Sequence, residues 1–204
     1  MLDAKRRAFL WTGDDTCNGA NCLIAWDRVY QARDCGGLGI KNLSDVNHCL
    51  LMKFVHKLHE PVVLPWMSWF LSHAGTNLTG TPGSYLCSIL KEELPRYSSI
   101  TLVSLGDGAS TSFWYDHWML NSTLSETFPA LFSHCVHKDS SVRPVMTSSL
   151  RSSLQPRLTR AAEDELLILT DCLAQIALQD RSDVRFLMTN KRSPFSSSAA
   201  YSIL

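Results

Sequence analysis

Three glycines in four positions, Gly36-Gly37-Leu38-Gly39, punctuate this chain more sharply than any other stretch. Glycine reaches positive φ at no steric cost and lets another backbone approach closely, so such a cluster forces a tight reversal. It also sets where the next element can start. From Ser44 to His59 the chain reads as a helix, with Ser44 as its N-cap and Val46, Leu50, Phe54 and Leu58 on one face. Cys49, Leu51, Met52 and Val55 make that helix apolar nearly all round, which predicts deep burial or a large interface. The alternation of Leu38 and Ile40 predicts a short buried strand leading into it.

Hydrophobic residues make up 45% of the 204, enough for a real core. The 19 basic and 19 acidic residues cancel. A protein living on a phosphate backbone normally carries a basic excess. Here only Lys5-Arg6-Arg7 and the looser Arg151, Arg157 and Arg160 stand out, and solvated surface is the commoner meaning of such groups. The seven cysteines are odd in number and scattered, with no secretory leader and no membrane-length apolar run. Free thiols in a reducing, intracellular compartment, cytoplasm or nucleus, are expected.

Further along, Trp66 to His73 predicts a short aromatic helix. Thr81-Pro82 opens a helix that should stop before Pro95. Ile100–Leu105 and Ser110–Tyr115, joined by Gly106-Asp107-Gly108-Ala109, predict a β-hairpin. Residues 119–158 read mostly as loop. Thr159 caps an amphipathic helix whose apolar face is Ala162, Leu166, Leu169, Leu173 and Ile176. Asp183–Met188 predicts a strand, and Ser196 starts a last helix. The expected fold class is α+β, mostly helical with a hairpin near 100–115. The expected segments are 1–75, 76–158 and 159–204.

The chemical motifs are weak. Gly13-Asp14-Asp15 has the composition of a polymerase carboxylate pair, but Thr16-Cys17-Asn18-Gly19 follows where an apolar strand is needed. Gly36-Gly37-Leu38-Gly39 lacks the Gly-Lys-Ser/Thr of a phosphate loop, so a tight, closely packed turn is the better reading. Cys17/Cys22, His56/His59 and His134/Cys135/His137 invite a zinc reading, yet no Cys-x-x-Cys pair exists. Trp114, Tyr115 and Trp118 around Asp116 and His117 fit a buried cluster better than a base-stacking one.

Taken in order, four signatures resemble one family. They are Phe9-Leu10-Trp11-x-Gly13 through Ala25-Trp26 and Gly36–Leu43 to Asn47 and Leu50–Lys53; Val103–Gly108 with Phe113-Trp114-x-Asp116-x-Trp118; Phe128-Pro129-x-Leu131-Phe132; and Pro194-Phe195-Ser196 with Ala200-Tyr201. The pattern is similar to the region after the polymerase palm in plant LINE-type (non-LTR, L1-like) retrotransposon reverse transcriptases. That resemblance implies a fragment of a multidomain protein with endonuclease, reverse transcriptase and C-terminal zinc-binding regions. The family's catalytic Tyr/Phe-x-Asp-Asp motif is absent here, and its zinc-binding cluster would lie beyond Leu204. The resemblance therefore carries over no catalytic residue, metal ligand or cofactor.

What remains resembles the thumb and its connector, which would help hold a template-primer duplex. Lys5, Arg6, Arg7, Lys41 and Lys53 are the candidates for phosphate contact. The leading expectation is a non-catalytic fragment with at most weak binding to RNA or an RNA-DNA duplex, and no membrane partner. Three alternatives stand beside it. The chain could be part of a polymerase that works only with its palm and the other reverse transcriptase domains. It could be a repurposed interaction module that docks through the 44–59 helix. It could also be an unstable remnant.

Overall fold

The computed structural model describes residues 2–60, 64–74, 85–119, 122–189 and 193–204. The chain divides into two compact units, Met1–Cys49 and Leu50–Leu204. The expected boundary near residue 75 and the Thr81-Pro82 helix start lie outside the described residues.

The first unit holds α1 (Leu2–Thr12), α2 (Trp26–Val29) and the opening of α3 (Leu43–Leu58). The glycine stretch is a turn, as its composition requires. Gly36 and Gly39 take positive φ, 84° and 66°, and a Cβ on Gly37 would overlap the Gln31 carbonyl. Amides of Gly37, Leu38 and Gly39 bond the carbonyls of Ala32, Val29 and Gln31, folding the segment back on itself. The expected strand is not there: Leu38 is 51% exposed and unpaired in any ladder, because its amide is used in this local turn. The helix begins two residues earlier than a Ser44 cap would place it. Asn42 rather than Ser44 caps it, its Oδ1 accepting from the Ser44 amide at 2.9 Å.

In the second unit the rest of α3 buries Met52, Val55 and Leu58. The expected face is thus corrected, since Leu50 and Phe54 stay exposed. A helix apolar on all sides gives no periodic cue to which face turns inward. Next come α4 (Pro65–Ala74) and α5 (Tyr85–Ser99). The helix α5 passes through Pro95 instead of stopping there. The carbonyl orphaned by proline belongs to Lys91, which is exposed and can be hydrated. Beyond it Tyr97 and Ser98 are buried, so packing favours continuation.

The expected hairpin is also overturned. β1 (Thr101–Ser104) pairs antiparallel with β2 (Val184–Leu187), with Val103 opposite Arg185. On its other side Val103 donates to the His117 carbonyl at 2.8 Å. Residues 110–115 form no strand against β1, because the glycine loop is tied to Asp183. The 119–158 segment, expected to be mostly loop, holds short helices as well. It contains α6 (Leu124–Thr127), α7 (Pro129–Ser133) and α8 (Val142–Ser148). A full Thr123/Glu126 capping box opens α6. These short helices pack with α9 (Arg160–Ala174) around Phe113, Trp114, Leu124, Leu131, Val142 and Leu169. α9 is capped by Thr159 as expected, its hydroxyl accepting from Ala162 at 3.3 Å. Glu165 on its surface accepts the Leu131 amide at 2.7 Å, capping α7 from outside. The short α10 (Ser197–Tyr201) closes the order of elements.

Candidate functional site

The second unit is organised by two buried carboxylates, and the first explains why the glycine loop is not a hairpin turn. Asp183, just before β2, places Oδ1 2.8 Å from the Gly106 amide and 2.9 Å from the Gly108 amide. Its Oδ2 takes the Ser110 amide, the Ser110 hydroxyl and the Thr111 hydroxyl at 3.1, 3.1 and 2.7 Å. Burial would raise this carboxyl's pKa, but the Gly106 amide, the Thr111 hydroxyl and the neighbouring amides hold it below the ordinary range. Gly106 cannot carry a Cβ, which would overlap the Arg181 carbonyl.

Asp116 is the second. Arg185 on β2 reaches it with Nη1 at 2.9 Å and Nη2 at 2.7 Å, and the Ser112 amide adds a bond at 2.7 Å. Only 2% of the Arg185 side chain and 5% of the Asp116 side chain are exposed. Burial opposes ionisation of Asp116, and the guanidinium outweighs it, so its pKa falls below the ordinary value. Desolvation likewise opposes the charge on Arg185, and Asp116 keeps that side chain firmly protonated.

Aromatic rings cover this pair. The Arg185 guanidinium lies 5.7 Å from the Tyr97 ring. His59 stacks parallel to Tyr97 at 5.8 Å, and His56 Nδ1 bonds the Tyr97 hydroxyl at 2.8 Å. His56 also stacks on Phe195 at 4.7 Å. Burial, helped by repulsion from Arg185, pushes the His59 pKa down to about 3. His56 is lowered by the same causes, with Glu60 opposing. The two histidines of the 56/59 pair are therefore neutral packing groups on the Tyr97 ring.

Above this layer opens a cleft of about 490 Å³ lined by His59, Leu94, Pro95, Ser112, Tyr115 and Asp116 among others. His59 and Ser112, two residues of its lining, each keep a polar atom, Nδ1 and Oγ, buried without a hydrogen-bond partner.

The candidate phosphate contacts fall in both units. In the first, Lys5 and Arg7 are exposed on α1. Arg6 pairs with Asp3 at 3.0 Å, and its guanidinium donates to the Lys41 carbonyl at 3.1 Å. Lys53 belongs to the second unit and is exposed on α3. Asp14 and Asp15 are exposed after the C-terminus of α1. Cys17 and Cys22 place their sulfurs 3.0 Å apart. Among the described residues no group of three or more His, Cys, Asp or Glu could hold a metal ion. No helix of the described residues is long and apolar enough to cross a membrane.

Of the aromatic cluster, Trp114 is buried with Nε1 3.2 Å from Cys135 Sγ, whereas Tyr115 is 41% exposed at the cleft. Sequence reasoning missed the Asp183 and Arg185 roles. The only available signal was a charged residue alternating with apolar ones inside a strand, Arg185 between Val184 and Phe186.

Over 107 residues the chain is 28% identical to the uncharacterised mitochondrial protein AtMg00310 of Arabidopsis thaliana, covering 49% of this chain and 70% of that protein. No family model matches the chain, and no solved structure matches it.

Proposed function

We propose that this chain is a non-catalytic nucleic-acid-binding region related to the segment after the palm of LINE-type reverse transcriptases, taking RNA or an RNA-DNA duplex weakly. The observation that carries the reading is the order of the four signatures, and the place their residues take lends it support. Gly106, Gly108, Phe113, Trp114, Asp116, Phe128 and Leu131 are all buried. They belong to the second and third signatures; in the first, Phe9, Leu38 and Leu50 are exposed. The exposed Lys5, Arg7, Lys41 and Lys53 supply the phosphate contacts. The similarity to a plant protein is compatible with this origin, and that relative's mitochondrial name adds the mitochondrion to the intracellular sites where the chain could act.

The test is a salt titration of binding to a single-stranded RNA and to an RNA-DNA duplex. Affinity should fall steeply with salt, because each neutralised phosphate releases a counterion. Replacing Lys5 and Arg7 together with glutamate should flatten the slope by about two contacts' worth. No binding at low salt would sink the proposal.

A second reading, a protein-interaction module, is favoured by one observation. Leu50 and Phe54 of α3 are 49% and 45% exposed, and Phe54 sits edge-on to Trp66 at 6.1 Å. Leu50→Glu with Phe54→Glu should then abolish partner capture and leave RNA binding intact.

A further inference from the structure

We propose that Cys17 and Cys22 form a reversible thiol–disulfide modification site, closed by a small disulfide of the glutathione type and reopened by a small thiol. The site lies within the first unit and does not rest on the nucleic-acid reading. All seven cysteines are free thiols, and these two place their sulfurs 3.0 Å apart. A disulfide bond is ~2.05 Å long, so an approach of about 1 Å closes the pair.

The local backbone sets up that approach. Residues 18–22 make one 3₁₀ turn, in which the Asn21 amide donates to the Asn18 carbonyl at 2.9 Å and the Cys22 amide to the Gly19 carbonyl at 3.2 Å. Both thiols share one acceptor, the Asn18 carbonyl, at 3.3 Å from Cys17 and 3.9 Å from Cys22. The space beside Gly19 is open, so the turn can tighten without a clash.

Access favours this pair. Cys17 and Cys22 are half-buried in a stretch whose neighbours, Thr16, Asn18, Asn21 and Leu23 among them, are exposed. Cys49, Cys87 and Cys135 are buried, away from a dissolved oxidant. A structural zinc needs four ligands, and among the described residues no group of three or more His, Cys, Asp or Glu could hold a metal ion. Exchange chemistry suits two adjacent thiols better.

The steps balance. One cysteine thiolate attacks a sulfur of oxidised glutathione and expels a glutathione thiolate, leaving a mixed disulfide. The second cysteine loses its proton and attacks the protein sulfur of that bond, expelling the other glutathione. The two protein thiols give up two electrons and two protons, and one small disulfide becomes two thiols. Because the second sulfur is already in place, the mixed disulfide should not accumulate.

The experiment incubates the reduced full chain with oxidised glutathione, blocks the remaining thiols with iodoacetamide, and maps the peptides by mass. The peptide carrying Cys17 and Cys22 should escape alkylation and lose the mass of two hydrogens. Dithiothreitol should restore both thiols. In Cys17→Ser, and separately in Cys22→Ser, the remaining cysteine should instead hold glutathione stably, as the exposed Cys35 should in every sample. The proposal is overturned if both thiols are still alkylated where Cys35 carries glutathione. It is equally overturned if the wild type keeps glutathione on Cys17 or Cys22, or if either pairs with another cysteine. Failure of RNA binding in the salt titration would remove the nucleic-acid reading and leave this site standing.

Discussion

Arg185 grips Asp116 through both terminal guanidinium nitrogens, at 2.9 and 2.7 Å, across 69 residues of sequence and almost wholly buried. The pair joins β2 to the loop that follows the glycine turn, and the cleft forms over it. A buried ion pair with this geometry holds a unique arrangement more surely than it adds net stability, because desolvation offsets much of the attraction.

Breaking one half of that pair should be severe. Asp116→Asn or Arg185→Met leaves the other charge buried and uncompensated, at a cost of about 3–5 kcal/mol. Replacing both together with apolar residues should cost clearly less than the sum of the single changes. Urea unfolding of the two single variants and the double variant reads the difference as a coupling energy.

Acid should weaken the second unit well before its carboxylates titrate. His59 is held down at about 3 against an ordinary 6.5, so the unfolded chain takes up its proton first as pH falls. Below pH 6.5 stability therefore drops, by up to about 1.4 kcal/mol per pH unit from this group, and the loss ends only near pH 3. His56, also lowered, acts in the same direction. Asp116 and Asp183 have folded values below the ordinary 3.8; their contribution is fully present above 3.8 and is lost as pH falls through the depressed values. Thermal melts of the wild type and His59→Gln between pH 7 and pH 4 should converge as the pH is lowered, since the variant lacks the titrating ring. Parallel curves would contradict the assignment.

Asp183 should act as the clasp of the glycine loop. Asn in its place keeps one acceptor oxygen where the carboxylate offers two, and the other position becomes a donor facing the Ser110 and Thr111 groups. Asp183→Asn should destabilise by about 2–3 kcal/mol. It should also release the Gly106, Gly108 and Ser110 amides to hydrogen exchange much faster than those of α9. Uniform exchange across the unit would argue against a local clasp.

Glycine substitutions should sort by backbone clearance. A Cβ at Gly37 or Gly106 runs into the carbonyl of Gln31 or Arg181, while Gly19 has open space and no unusual φ. Gly37→Ala and Gly106→Ala should each lower the melting temperature by several degrees, and Gly19→Ala should leave it nearly unchanged.

Much of the local structure was legible without the fold. The glycine turn, α4, the Thr159-capped α9 and the β2 segment follow from torsional preference, capping chemistry and hydrophobic spacing, which act within a few residues. The misreadings share a cause. At 100–115 the turn residues fitted a hairpin, but Asp183 recruits those same amides from far along the chain. At Pro95 the local rule for ending a helix lost to the burial of Tyr97. Along 119–158 the serine content hid four-to-seven-residue helices too short to show a period.

By itself, then, the sequence determined where the backbone turns, which stretches could be helical or extended, and the order of signatures that suggests a polymerase relative. It could not determine which face of α3 is covered, which strand pairs with β1, or that Arg185 meets Asp116 beneath a cleft floored by His59 and Ser112. Those outcomes depend on contacts between residues tens of positions apart. Only the packed chain decides which buried charge meets its partner and which buried polar atom is left without one.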